Sequence, residues 1–232
     1  MLDFEQWDSK WDYNVDIVIC IDLTNSMRDY IEEVKDKTLG FHEQYLEAME
    51  QADISVARLR VKVIGFRDFG FGSEPIVDSS KFFELPDESE EFERFVRALQ
   101  VDTGGDIPES GLEAIALAMK SDWLNVKKRQ RHIMLMFTDA PAHPLGFGSD
   151  SVHYPEGMPA DLAELARWWV EGVPNGSYNP RSGRLVVFAP EVYPWNEMSK
   201  WYSSLLVPPK AGAFIDERDF EYAVDMLVRG FF

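Results

Sequence analysis

Val15-Asp16-Ile17-Val18-Ile19-Cys20-Ile21 runs directly into Asp22-Leu23-Thr24-Asn25-Ser26. The first stretch is short, apolar and β-branched, which reads as a strand buried on both faces. The second delivers a carboxylate and two hydroxyls, spaced two residues apart, into a turn. Over residues 27–49, Tyr30, Ile31, Val34, Leu39, Phe41 and Tyr45 recur at roughly helical spacing, and Asn25 and Ser26 suit the cap of that helix. A buried strand therefore hands oxygen side chains to a helix entry. Oxygens held on so rigid a junction suit a hard divalent cation such as Mg²⁺ or Mn²⁺.

Strand and helix signals alternate along the rest of the chain. Residues 57–66 alternate and end apolar, as a second strand does, and residues 82–85 give a short strand. Residues 88–99 place Phe92, Phe95, Val96 and Leu99 on one helix face behind an acidic first turn. Residues 112–123 are alanine-rich and apolar, a buried helix. Ile133-Met134-Leu135-Met136-Phe137 reads as a central strand ending in Thr138-Asp139. A helix at 160–170, a strand at 185–189, a helix at 197–206, a short strand at 212–215 and a helix at 220–228 follow. This alternation predicts an α/β fold, doubly wound, with a mostly parallel central sheet and helices on both faces. Ligands of such sheets bind beyond the carboxyl ends of the strands, so Asp22 and Asp139 are expected at one edge.

A chain of 232 residues with no repeat, low-complexity tract or evident linker is read as one domain over 1–232, its core at about 14–231. The net charge of -18 opposes binding to nucleic acid and to anionic membrane, and favours cations and basic partners. No apolar run is long enough to span a bilayer, and the start of the chain lacks the features of a secretory signal. Cys20, alone inside an apolar run, reads as a small hydrophobe. A reducing cytoplasm is the expected compartment.

Three segments bring oxygen side chains to the expected carboxyl edge: Asp22 to Ser26, Asp102-Thr103-Gly104-Gly105-Asp106, and Thr138-Asp139. A capping turn alone explains the first but not the other two. A phosphotransferase that uses an Asp after its first strand needs a second carboxylate two residues on as general acid, and Thr24 stands there instead. His143, Asp150 and His153 match no familiar zinc spacing. Arg67 and Asp68 fit either a pair supporting the site or a surface ion pair. No order of nucleophile and base points to an enzyme.

These motifs resemble the von Willebrand factor A domain with its metal-ion-dependent adhesion site, a Rossmann-like fold. The family's opening Asp-x-Ser-x-Ser is matched by Asp22, Thr24 and Ser26, and its last Asp by Asp139. The family's middle Thr follows a glycine pair. Here Asp106 takes that place, and Thr103, before the glycines, is the alternative. Together with Gly65-Phe66-Arg67-Asp68, the Thr-Gly-Gly-Asp-x-Pro-Glu form is most similar to intracellular bacterial and alpha-kinase-linked members. The resemblance implies a binding module with no enzymatic activity. Its cation (Mg²⁺, or Mn²⁺ or Ca²⁺) would be held by Asp22, Thr24, Ser26, Thr103 or Asp106, and Asp139, and would meet an acidic side chain of a protein partner. A metal-dependent phosphotransferase or hydrolase, and a scaffold without a functional metal, are the alternatives.

Overall fold

The computed structural model describes residues 12–70, 76–102, 107–126, 129–210 and 214–230. Its strands, numbered in chain order, are β1 (Tyr13–Asp22), β2 (Val56–Phe66), β3 (Val77–Ser79), β4 (Phe83–Leu85), β5 (Gln130–Phe137), β6 (Gly183–Phe188) and β7 (Ser204–Val207). They form one sheet in the order β3-β2-β1-β5-β6-β7, with β4 also paired to β2. The pairs among β2, β1, β5, β6 and β7 are parallel, and the two short strands on β2 are antiparallel. The expected doubly wound α/β architecture is thus observed.

The helices are α1 (Ile31–Gln51), α2 (Ser89–Ala98), α3 (Gly111–Met119), α4 (Leu162–Glu171), α5 (Trp195–Met198) and α6 (Glu217–Arg229). Side chains alternate across a strand, so β1 feeds two cores at once. Val15, Ile17, Ile19 and Ile21 pack toward α1, α2 and α6. Val18 and Cys20 pack toward α3, α4 and α5. This explains why β1 tolerates no wet face. Cys20 is fully buried and its thiol is pushed up to about 12 by burial, in keeping with a packing role.

The chain leaves β1 toward β2 on one side and returns beside β1 as β5 on the other. The carboxyl ends of β1 and β5 therefore flank the topological switch point, where the connections diverge and open a crevice. The register sets Ile21 against Phe137, so Asp22 and the residues after Phe137 emerge side by side.

Two expected elements differ. Residues 197–206 are not one helix: α5 ends at Met198, and Ser204–Val207 is β7, hydrogen-bonded to β6. Its leucines fit a helical spacing, but pairing with a distant strand overrides that local signal. Phe214 and Ile215 belong to no strand, and the rest of the strand expected at 212–215 lies outside the described residues. β3 was not anticipated, since three edge residues carry too little pattern. None of the helices in the described residues is long and apolar enough to cross a membrane.

Candidate functional site

Asp22 is fully buried at the end of β1. Its Oδ1 accepts from the Thr24 amide at 2.9 Å and from the Thr24 hydroxyl at 2.6 Å. Its Oδ2 accepts from the Thr138 hydroxyl at 2.6 Å. The carboxylate thereby ties the turn after β1 to the turn after β5. Burial pushes the Asp22 carboxyl up to about 6, against the opposing pull of these hydrogen bonds, and the negative charge of Asp139 adds to the rise.

Ser26, half-buried, donates to Asp139 Oδ1 at 2.7 Å, and its oxygen lies 3.3 Å from that of Thr24. These contacts bear on the capping alternative. Residues Asn25–Asp29 form a 3₁₀ turn before α1, and Thr24, at its N-cap, makes no side-chain capping bond. The cap of α1 is Tyr30, which also caps without a side chain. The hydroxyls of Thr24 and Ser26 thus serve carboxylates rather than helix amides, so the expected cap by Ser26 is not what the structure has. Each hydroxyl has committed its hydrogen to a carboxylate, which leaves lone pairs for another acceptor-seeking group.

Four of the residues expected at the site, Asp22, Thr24, Ser26 and Asp139, converge in this way. Thr103 and Asp106 lie outside the described residues. Asp102, just before them, is held at the same edge by its amide, which donates to the Leu23 carbonyl at 3.0 Å.

Two acids outside the expected ligand set join the cluster. Glu109 is 3% exposed. Its amide donates to the Pro141 carbonyl and its carbonyl accepts from the His143 amide, so its backbone is pinned to the turn after β5. Its carboxyl is pushed up to about 9, chiefly by burial, then by the negative charges of Asp22 and Asp68; Asp139 adds a smaller share, and the Thr24 hydroxyl opposes. Asp68, buried after β2, accepts from the Gly70 amide at 2.8 Å and the Ser110 hydroxyl at 3.1 Å, and faces His143 Nε2 at 3.5 Å. Glu109 Oε2 and Asp68 Oδ2 are buried without a hydrogen-bond partner. Arg67 does not pair with its neighbour: it is buried and bonds Asp78 and the Gln100 carbonyl. It therefore braces the segment after β2 and is not a surface ion pair.

A tight packing of loops holds the cluster. Gly148, at φ +77°, leaves no room for a Cβ, which would come within 2.8 Å of the Gly70 amide nitrogen. The indole of Trp195 is buried and donates to the Ala140 carbonyl at 2.8 Å, fixing the turn that carries Asp139. Among the described residues, no group of three His, Cys, Asp or Glu side chains is arranged to hold an ion unaided. His143 stacks on Phe147, and Asp150 and His153 are exposed, so these three do not gather as zinc ligands. A cation at this edge would draw on hydroxyls and water as well as carboxylates.

A family model described as the von Willebrand factor A domain matches residues 16–146, from β1 through the turn after β5. Over 145 residues the chain is 26% identical to the alpha-protein kinase vwkA of Dictyostelium discoideum, a match that covers 62% of this chain and 21% of that protein. The chain thus spans about a fifth of the length of this relative. Its fold resembles that of the pilus adhesin SpaC from Lactobacillus rhamnosus GG, with a TM-score of 0.55 at 12% identity, over 94% of this chain and 30% of that one. It also resembles proximal thread matrix protein 1 of the mussel byssus, solved with a zinc-occupied metal-ion-dependent adhesion site, with a TM-score of 0.54 at 9% identity, over 94% and 46% of the two chains. At these identities the two structures speak to the fold alone. The family match, which spans more than half of the chain and takes in both Asp22 and Asp139, settles the assignment: the chain belongs to the von Willebrand factor A domain family.

Proposed function

We propose that this domain is a metal-dependent protein-binding module that performs no catalysis. The observation that carries the proposal is the pairing of Thr24 with Asp22 and of Ser26 with Asp139. It sets two neutral hydroxyl oxygens 3.3 Å apart, each bonded to a carboxylate. Two oxygens at right angles on a hard cation, at bond lengths of about 2.0–2.6 Å, stand about 2.8–3.7 Å apart, so the spacing fits. The unpartnered buried oxygen of Glu109, and the upward push on the carboxyls of Asp22 and Glu109, mark a place short of positive charge. The donor set, all oxygen, fits Mg²⁺, Mn²⁺ or Ca²⁺ better than a softer metal. The zinc-occupied site of the byssus protein shows a divalent ion at such a motif in that protein.

Asp22, Thr24, Ser26 and Asp139 would hold the ion, with Glu109 and either Thr103 or Asp106 beside them. When bound, the ion supplies a Lewis-acidic position for a carboxylate of a partner. Asp22 accepts three hydrogen bonds, so its main work is to orient Thr24 and Thr138. Thr24 and Ser26 contribute oxygen without adding charge. The surroundings supply the rest of a contact surface: Ile107, on the segment before α3, is 63% exposed, and Val152, in the loop over 141–159, is 91% exposed. Ile107 lies two residues before Glu109, and an apolar side chain left in water there suits a protein partner.

A pull-down with the immobilised domain tests the proposal. Proteins retained in Mg²⁺ should be released by chelator and should not bind Asp22→Ala. Retention that ignores both chelator and substitution would remove the metal from the account.

A further inference from the structure

At the opposite, amino end of the sheet lies a cluster that the metal site does not use. Arg131, at the start of β5, is 4% exposed. Its Nη1 donates to the Tyr45 hydroxyl at 2.9 Å and to the Leu227 carbonyl at 3.0 Å, and its Nη2 donates to the Val228 carbonyl at 2.9 Å. The guanidinium also lies over the Tyr13 ring, 4.7 Å from its centroid. Arg184 stands on β6, whose register sets it against Ile133, so it is the diagonal neighbour of Arg131 on the same face. Arg184 is half-buried.

Among the described residues, neither arginine pairs with a carboxylate. Among the described residues, Arg58, Arg60, Arg67, Arg97, Arg218 and Arg229 each pair with an Asp or Glu, as expected in a chain with 41 acids against 23 bases. Of the described arginines that are not fully exposed, Arg131 and Arg184 are the two without such a pair, and they adjoin each other. The charges that act on Arg184 come from Arg131 and from tyrosines, none of them a carboxylate. Arg131 has partial compensation from the carbonyls at the end of α6. Arg184 has none, and the Nε of each arginine is buried without an acceptor. Two adjacent guanidiniums without a counter-charge are costly unless an anion completes them.

We propose that the amino end of the β5–β6 pair is an oxyanion site in which Arg131 and Arg184 receive a phosphoryl group. Planar guanidinium donors match phosphate oxygens, and a charge of about -2 balances two arginines where a single carboxylate would balance one. Arg131 is the fixed base of the site, held by α1 and α6. Arg184 is the group that reaches outward. The phosphoryl group comes either as the free ion or on a phosphorylated chain.

Thermal unfolding of the full chain in chelator, at constant ionic strength, tests this. Inorganic phosphate at ten times its half-saturating concentration should raise Tm by about 3 °C. Acetate at matched ionic strength should not. Arg184→Gln, which removes cation repulsion and leaves the α6 contacts intact, should fold but lose the phosphate response. Asp22→Ala should keep it, which separates this site from the metal centre. A phosphoserine peptide that half-saturates at least tenfold below inorganic phosphate assigns the phosphoryl group to a modified chain, and equal behaviour assigns it to the free ion. An equal phosphate shift in Arg184→Gln, an equal shift with acetate, or no shift in the unsubstituted protein overturns the proposal.

Discussion

The Ser26 hydroxyl donates to Asp139 Oδ1 at 2.7 Å and joins, across 113 positions of sequence, the turns that leave β1 and β5. These are the two central strands that flank the switch point. The bond fixes which way each oxygen faces, and much of the proposed chemistry rests on that orientation. Ser26→Ala removes one neutral oxygen and frees Asp139, at a half-buried position where the fold loses little. Mg²⁺ affinity should fall at least about tenfold while the metal-free Tm stays within about 2 °C, as titration calorimetry and thermal scans would show.

Glu109 gives the metal-free protein a distinct response to pH. Its carboxyl, ordinarily near 4.5, is raised to about 9 by burial and by its acidic neighbours. The folded state therefore keeps a proton that the unfolded chain releases. The stability this contributes is full below about pH 4.5 and is lost as pH rises toward 9. Between pH 7 and 8, with chelator present, unfolding free energy should fall by about 1.4 kcal/mol more than it does in Glu109→Gln. Denaturant melts of the two proteins at both pH values measure the difference, and parallel slopes would show that Glu109 is ionised in the fold.

Metal loading should erase that difference. A cation beside Glu109 favours its charged form, so binding near neutral pH releases protons. Calorimetric titrations of Mg²⁺ into the protein, in buffers of different ionisation enthalpy, should give a proton release of about one per ion at pH 7. Glu109→Gln should release fewer and bind more weakly.

Gly148 tests the packing that seats the site. Any Cβ there meets the backbone of Phe69 and Gly70 within about 3 Å, at a φ that L-residues rarely adopt. Gly148→Ala should cost about 2 kcal/mol or more, and should weaken metal binding because the segment over 68–70 carries Asp68. Gly146→Ala, also at positive φ but with open space around the added carbon, should cost less. Chemical denaturation of the pair separates crowding from backbone strain.

The strands that position the site were legible because burial on two faces writes itself as continuous apolar sequence, as in Ile17 to Ile21 and Ile133 to Phe137. Asp22, Thr24, Ser26 and Asp139 were legible because each follows such a run. β7 was not, since Leu205 and Leu206 fit a helix as well as a strand until β6 is known to lie alongside. Glu109 was hidden for a different reason. An acid just before a helix reads as a partner of the helix dipole. Only the pairing of its backbone with the turn after β5 turns it into the oxygen cluster. Its one sequence cue was its place in the Thr-Gly-Gly-Asp-x-Pro-Glu stretch. The bracing roles of Arg67 and Trp195 likewise depend on contacts between segments far apart in sequence.

Asp22 is proposed to organise one divalent cation at the carboxyl edge of β1. Titration of Mn²⁺, followed by its electron paramagnetic resonance, counts bound ions directly in the unsubstituted protein and in Asp22→Ala. One tightly bound ion per chain, displaced by Mg²⁺, is expected in the unsubstituted protein, and none in Asp22→Ala at the same concentration. Equal binding by the two proteins would show that Asp22 does not organise the ion.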